Sequence, residues 1–198
     1  LLSKADFENA IDFTFGKKNI LVTFHPVTLE NFTAKVQFQE LLNSINKLEN
    51  TKIIFTKANS DTNGRIINSM IDDYVAINDN SIAFTSMGAL NYLSALQFVD
   101  VVVGNSSSGL IEAPSFNIAT IDIGDRQKGR IKADSVISCS PTQESIRSAF
   151  DKSYSEDFQN IVVNTKNPYG NGGASKIVVD IIKDFDLNGI LKKIFYDL

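Results

Sequence analysis

Cysteine is nearly absent from the chain. Cys139 stands alone among 198 residues, so no disulfide can form within it. This fits a reducing compartment and leads to the expectation of a cytoplasmic protein. Long apolar runs are missing as well. No stretch approaches the roughly 20 residues that a membrane helix needs, so no membrane partner is expected. Leu1 to Phe15 carries acids where a signal peptide has a basic start before an apolar run. There is no initiator Met and the opening is polar and helical, which predicts a piece of a longer protein. Basic charge is not in excess: 19 Lys and Arg face 23 Asp and Glu, for a net charge of −4 with no basic block. Nucleic acid is therefore excluded as the main partner, because phosphate backbones are met by dense Lys/Arg patches. A small anion is not excluded, since backbone N–H groups at a helix start give positive potential without net charge. Histidine is reduced to His25 alone. There is no internal repeat and no low-complexity segment. There is also no Walker A loop, because no Gly-Lys-Ser/Thr follows a glycine at the required spacing, and Gly170-Asn171-Gly172-Gly173 follows no strand and reads as a turn.

What is present is a core. Hydrophobic residues make up 43% of the chain, enough apolar surface to offset chain entropy. The length suits one large domain or two small ones. Short apolar runs alternate with helical patterns. The strands expected are Ile20–Phe24, Lys52–Phe55, Ile82–Phe84, Asp100–Val103, Ala119–Ile123 and a weaker Val136–Ser138. Between the first two, Phe38, Leu41, Leu42, Ile45 and Leu48 recur at helical spacing, and Leu90, Leu93 and Leu96 do so between the third and fourth. Thr142–Lys152 reads as a helix with Pro141 near its start. Alternating strand and helix predicts an α/β fold: a Rossmann-like, doubly wound, mostly parallel sheet of about six strands with helices on both faces. Runs such as Val101-Val102-Val103 do not alternate with polar residues, as expected of strands buried on both sides. Beyond the turn chemistry of Asn167 to Gly173 comes a helix with Ile177, Val178, Ile181, Ile182 and Phe185 on one face, then a break at Asn188-Gly189 and a short final helix, Ile190 to Tyr196.

Sheets of this kind bind ligands beyond the carboxyl ends of their strands. There the sequence places His25-Pro26, then Lys57, Asn59 and Asp61, then Thr85 and Ser86, then Gly104-Asn105-Ser106-Ser107-Ser108-Gly109, then Gly124-Asp125-Arg126-Gln127-Lys128-Gly129-Arg130. The serine-rich turn is the sharpest signal. Small residues let a ligand approach the backbone, the first free N–H groups of the following helix point at it, and serine hydroxyls add donors, which together suit a phosphate or diphosphate. Glu112, about one turn into that helix, can accept two hydrogen bonds from a ribose diol.

Each feature has a plainer reading beside this one. The turn can be a serine-capped helix with a solvated Glu112. A single histidine is more often structural than catalytic, although His25 ends a buried strand and Pro26 holds it extended. Arg126 and Arg130 can belong to a flexible basic loop or form an anion clamp. Asn59 and Asp61 can mark only a turn.

The stretch Val101-Val102-Val103-Gly104-Asn105-Ser106-Ser107-Ser108-Gly109-x-x-Glu112, followed by Ile123-Gly124-Asp125-Arg126-Gln127-Lys128-Gly129-Arg130, strongly resembles the hydrolysing UDP-N-acetylglucosamine 2-epimerases of sialic and legionaminic acid synthesis. The opening Leu21-Val22-Thr23-Phe24-His25-Pro26-Val27-Thr28 and the tail Asn167-Pro168-Tyr169-Gly170 are similar to that family too, so the resemblance covers nearly the whole chain. It implies that residues 1–198 form a single UDP-binding domain. This would be the C-terminal half of a two-domain GT-B-type enzyme, with residues 174–198 a helical tail packing toward the other half. It implies conversion of a UDP-linked N-acetylated amino sugar to the free 2-epimer plus UDP, by anti elimination to a glycal and then hydration. It implies no metal, no nicotinamide or other cofactor, and a homodimer of the full-length protein. By the same resemblance, Ser106, Ser107 and Gly109 lie against the diphosphate and Glu112 holds the ribose. Asn59 contacts the nucleotide, Arg126 contacts the phosphate or the sugar side of the cleft, and His25 assists departure of the UDP oxygen. The family's acid–base carboxylates lie mainly on the other domain, and no Asp or Glu here is assigned that role. A GT-B glycosyltransferase donor domain, a non-hydrolysing epimerase and a non-catalytic nucleotide-sugar-binding module are the alternatives.

Overall fold

The structure, a computed structural model, describes residues 1–27, 33–59 and 63–192. Six strands, β1 (Lys18–Thr23), β2 (Thr51–Thr56), β3 (Ser81–Phe84), β4 (Val101–Gly104), β5 (Ala119–Ile123) and β6 (Val136–Cys139), form one sheet in the order β3-β2-β1-β4-β5-β6. Every neighbouring pair is parallel, so the Rossmann-like expectation holds. The expected strands lie within a residue or two of the observed ones.

Alternation along each strand explains the unbroken apolar runs. Ile20 and Val22 of β1, Ile53 and Phe55 of β2, and Val101 and Val103 of β4 enter one core, with α2 (Ala34–Ile45), α3 (Gly64–Ala76), α6 (Gln143–Ser153) and α7 (Glu156–Val163). Leu21, Ile54 and Val102 point to the other face and meet α1 (Lys4–Ile11) and α4 (Gly88–Ala95). The stripe Phe38, Leu41, Leu42 and Ile45 is buried as its spacing predicts. The stripe on α4 is not as expected. Leu96 is fully buried, but Leu90 is 54% exposed and Leu93 only partly covered. The helix spans eight residues and meets the sheet through Ser94, Ala95 and Leu96 at its C-terminal end, which leaves its first turn at the rim.

The serine-rich turn also departs from expectation. The helix it starts, α5 (Ser108–Ile111), is a single turn and passes at Glu112 into a 3-10 turn, Ala113–Phe116, that carries Pro114. One turn aligns too few peptide dipoles to build a macrodipole. An anion here would be met by individual amides and side chains.

The tail stands apart. Asn167 still docks, donating to the Ile111 carbonyl at 2.8 Å and to Ser115 Oγ at 2.6 Å, and the Tyr169 hydroxyl donates to the Ile131 carbonyl. From Tyr169 to Lys192 every residue is exposed. This includes α8 (Ala174–Asp184), whose apolar residues Ile177, Val178, Ile181 and Ile182 are each more than half exposed. The short final helix does not begin where expected, because Asn188 to Leu191 form a turn; its remaining residues lie outside the described ones. Removing residues 171–198 is expected to change the domain's unfolding free energy by no more than about 0.5 kcal/mol, as for other surface changes. Urea denaturation of the two chain lengths checks this, and a loss of several kcal/mol would show that the tail belongs to this core.

Candidate active site

The sheet order reverses direction between β1 and β4: the chain runs outward one way to β2 and β3, and the other way to β5 and β6. The loops beyond β1 and β4 therefore part and leave a crevice at the carboxyl ends of the strands. His25 sits there at the end of β1 and is 8% exposed. Its main chain is held from β4: the His25 N–H donates to Asn105 Oδ1 at 2.7 Å, and Asn105 Nδ2 donates to the His25 carbonyl at 2.8 Å. The ring is oriented from β2, where the Asn59 N–H donates to His25 Nδ1 at 3.4 Å. An imidazole that accepts at Nδ1 carries its neutral-form proton on Nε2.

A cavity of about 440 Å³ opens beside this ring, lined by Thr23, His25, Asn59, Met87, Tyr92 and Glu112, among others. Glu112 is not the solvated carboxylate of the plainer reading. Its Oε2 is buried and has no hydrogen-bond partner among the described residues. A buried acceptor without a donor is uncommon in folded proteins, and a ligand diol is one way to satisfy it. Tyr92 lies beside Glu112 and donates its hydroxyl to Ser108 Oγ at 2.6 Å. Burial, opposed by the Ser108 hydrogen bond and reinforced by the Glu112 charge, holds its pKa above the ordinary tyrosine value, so Tyr92 stays a neutral donor.

The phosphate-side residues fall next to this cavity. Among the described residues, the amides of Ser106 and Ser107 donate to no protein acceptor, whereas the amides of Gly109, Leu110, Ile111 and Glu112 are satisfied by the carbonyls of Ser106, Ser107 and Ser108. Ser106 Oγ accepts from the Ser108 N–H at 3.4 Å. Gly109 faces the other way. It is buried against β5, where a Cβ would meet Thr120 Cγ2 at 2.7 Å, and its carbonyl accepts from Thr120 Oγ1. Close packing, rather than ligand approach, accounts for glycine at this position.

Arg126 reaches the same place from β5. Its Nη1 donates to the Asn105 carbonyl at 3.0 Å, and the buried Gln127 donates to the same oxygen at 2.8 Å. Arg130 is exposed. Asp61 and Thr28 lie outside the described residues.

Thus His25, Asn59, Ser106, Ser107, Glu112 and Arg126 share one rim. Thr23 and Tyr92 join them without having been singled out in the sequence, and Asn105, placed at the rim with its turn, joins them without having been given a role. Tyr92 lies between Leu90 and Leu93, in a segment whose apolar stripe suggested only packing. A second cleft, of about 690 Å³, opens over the ends of β5 and β6, lined in part by Lys128, Lys132, Ser138 and Cys139. Part of its chemistry is spent internally. Lys132 is paired to buried Asp122 at 2.7 Å and donates to Ser138. The Cys139 thiol is pushed up to about 12, by burial and then by the Asp122 charge, so it is not a nucleophile near neutrality. Among the described residues, no group of three or more His, Cys, Asp and Glu is placed to hold a metal ion, and no helix is long and apolar enough to cross a membrane.

Residues 2–183 match the profile of a family described as UDP-N-acetylglucosamine 2-epimerase. The chain belongs to that family. A Campylobacter jejuni protein named GDP/UDP-N,N'-diacetylbacillosamine 2-epimerase (hydrolyzing) is 38% identical over the whole chain and 51% of its own length. An Escherichia coli protein, polysialic acid biosynthesis protein P7, is 38% identical over 85% of the chain and 43% of its own length. The chain thus spans about half the length of these epimerase-family relatives. Among solved structures, an S. aureus MnaA–UDP co-structure superposes with a TM-score of 0.70 at 19% identity, covering 97% of this chain and 51% of the other. That likeness shows the fold.

Proposed function

We propose that the chain is the UDP-binding, C-terminal domain of a hydrolysing 2-epimerase acting on UDP-N-acetylglucosamine or a UDP-2,4-diacetamido sugar. The reading includes a homodimeric full-length protein in the cytoplasm, with α8 packing its bare apolar face against the other domain. The observation that carries it is Glu112: a half-buried carboxylate with one oxygen unpartnered among the described residues, in a cavity shared with the only histidine.

In this reading Glu112 accepts from the ribose hydroxyls. Ser106 and Ser107 offer amides and hydroxyls to the diphosphate, and Asn59 and Arg126 flank the nucleotide and phosphate. Elimination breaks the C1–O bond of the sugar, and the electron pair leaves with the β-phosphate oxygen. The Nε2–H of neutral His25 meets that developing charge, and preorganised donors at such a point lower the barrier. The proton leaves C2 to a base on the other domain, and water then adds to the glycal. The chain alone binds UDP without turning substrate over.

The test uses the full-length protein with UDP-N-acetylglucosamine and, separately, its 2,4-diacetamido-6-deoxy analogue. Release of UDP together with the free manno-configured sugar, with no acceptor present, is expected for one of them. Retention of UDP on the epimerised sugar, or dependence on an acceptor, would overturn the hydrolysing reading. At the diphosphate end, Ser107→Ala is expected to weaken UDP binding by about 1 kcal/mol or more, the scale of a hydrogen bond to a charged group. Unchanged affinity by calorimetry removes Ser107 from the site.

A further inference from the structure

Asn105 is 1% exposed and lies where β1 and β4 separate. The paired residues of these strands end at Thr23 and Gly104, and the Asn105 N–H still donates to the Thr23 carbonyl. Beyond that point the Asn105 side chain grips the main chain of His25 from the β4 side, through both its N–H and its carbonyl. The planar amide replaces the next rung of the ladder. On its other side the Asn105 carbonyl accepts from both Arg126 and Gln127. One residue therefore joins the strand end bearing His25 to the loop bearing Arg126.

The residue type is dictated by this geometry. Aspartate cannot donate to the His25 carbonyl, serine is too short to span both groups, and glutamine is longer by a methylene. The sheet itself does not need the side chain, because β1 and β4 pair at four positions without it.

We propose that Asn105 is a positioning residue for the elimination step. It fixes the imidazole of His25 relative to the guanidinium of Arg126, so that both address the departing diphosphate. The inference rests on the epimerase reading above. It goes beyond that reading by placing the alignment of the two groups on one residue, whose side-chain amide holds the His25 main chain and whose main-chain carbonyl holds Arg126.

The test is a double-mutant cycle in the full-length protein, using uncharged replacements because Lys57 and Glu112 share the cavity with His25. Asn105→Ala is expected to lower kcat by about tenfold or more, with KM moving less than about threefold, since misalignment of reacting groups acts on the chemical step. In a His25→Ala background the same change is expected to lower kcat by less than about twofold, because residues that act through one another are not additive. Equal losses in both backgrounds overturn the proposal. If Asn105→Ala does not fold, Asn105→Ser is carried through the same cycle; failure of both to fold also overturns it, by making Asn105 a residue of the fold.

A second readout does not depend on turnover. The two cores close within residues 7–162 of this chain, and His25 is its only histidine. Its imidazole Cε1–H signal can therefore be followed by NMR without assignment. In Asn105→Ser that signal is expected to shift and broaden relative to wild type, and superposition of the two overturns the proposal. If the wild-type full-length protein releases no UDP, the proposed function fails, and the NMR comparison still judges Asn105.

Discussion

Under the proposed function, glutamine in place of His25 is expected to lower kcat of the full-length protein by about 10²- to 10³-fold, the range associated with loss of one preorganised donor to a developing oxyanion. KM is expected to change far less. Glutamine keeps polarity and can still donate, but its flexible amide does not hold a donor where the fixed ring holds Nε2–H. His25 ends a buried strand, its main chain is clamped by Asn105, and its Nδ1 accepts from the Asn59 amide. The ring is thus oriented before substrate arrives, with the neutral-form proton on Nε2. That orientation matters most when charge grows on the departing oxygen and little when intact substrate binds, so the loss falls on kcat. Steady-state kinetics of UDP release, with calorimetry of UDP binding alongside, measures it. A variant within about fivefold of wild type in kcat but with a much raised KM would make His25 a binding group only.

The second large effect is structural and lies one residue from the site. Gly104 ends β4 with φ at +136°, where a Cβ would stand 1.9 Å from the Thr23 carbonyl oxygen and 2.7 Å from its carbon. Both atoms belong to the backbone of β1, so no side chain can move aside. Gly104→Ala must pry β1 from β4 or leave this backbone conformation, and is expected to destabilise the domain by about 3–6 kcal/mol, strain and overpacking together. That is a large part of the about 5–15 kcal/mol typical of a folded domain. Gly88→Ala is the control. Gly88 also has positive φ, +68°, but nothing lies within 4 Å of its Cβ position, so only backbone strain of about 1–2 kcal/mol applies. Urea denaturation of both variants separates the two terms, and similar losses would remove the close-approach argument.

Much of the candidate site could be read along the chain because it is built from loops that follow parallel strands. In such a sheet, a polar turn after a buried apolar run has only one edge to occupy, so His25, Ser106, Ser107 and Arg126 could be grouped from order alone. Tyr92 could not, and Asn105 could be placed at that edge but not given its role. Asn105 is one polar residue in a turn rich in them, and only the opening between β1 and β4 gives its amide both groups of His25 to bind. Tyr92 became a site residue because α4 packs by its C-terminal end and runs from Gly88 to Leu93 along the cavity that Glu112 also lines. The sequence places Glu112 about one turn into a helix. Pro114 and the 3-10 turn that contains it make that helix one turn long.

The sequence by itself determined the layering and the rim. Period-two burial of unbroken apolar runs admits little but a parallel sheet covered on both faces, and the polar loops then follow at its carboxyl edge. Only the tertiary structure decided which atoms at that edge remain without a partner and which are already satisfied. Among the described residues, Glu112 keeps an unmet acceptor and Ser106 and Ser107 keep unmet amides, whereas Gly109 and Lys132 are spent on the fold. The reason is physical: patterning reports which face of an element is buried, but hydrogen bonds between residues 80 positions apart, such as those joining His25 to Asn105, depend on distances that exist only once the sheet has closed.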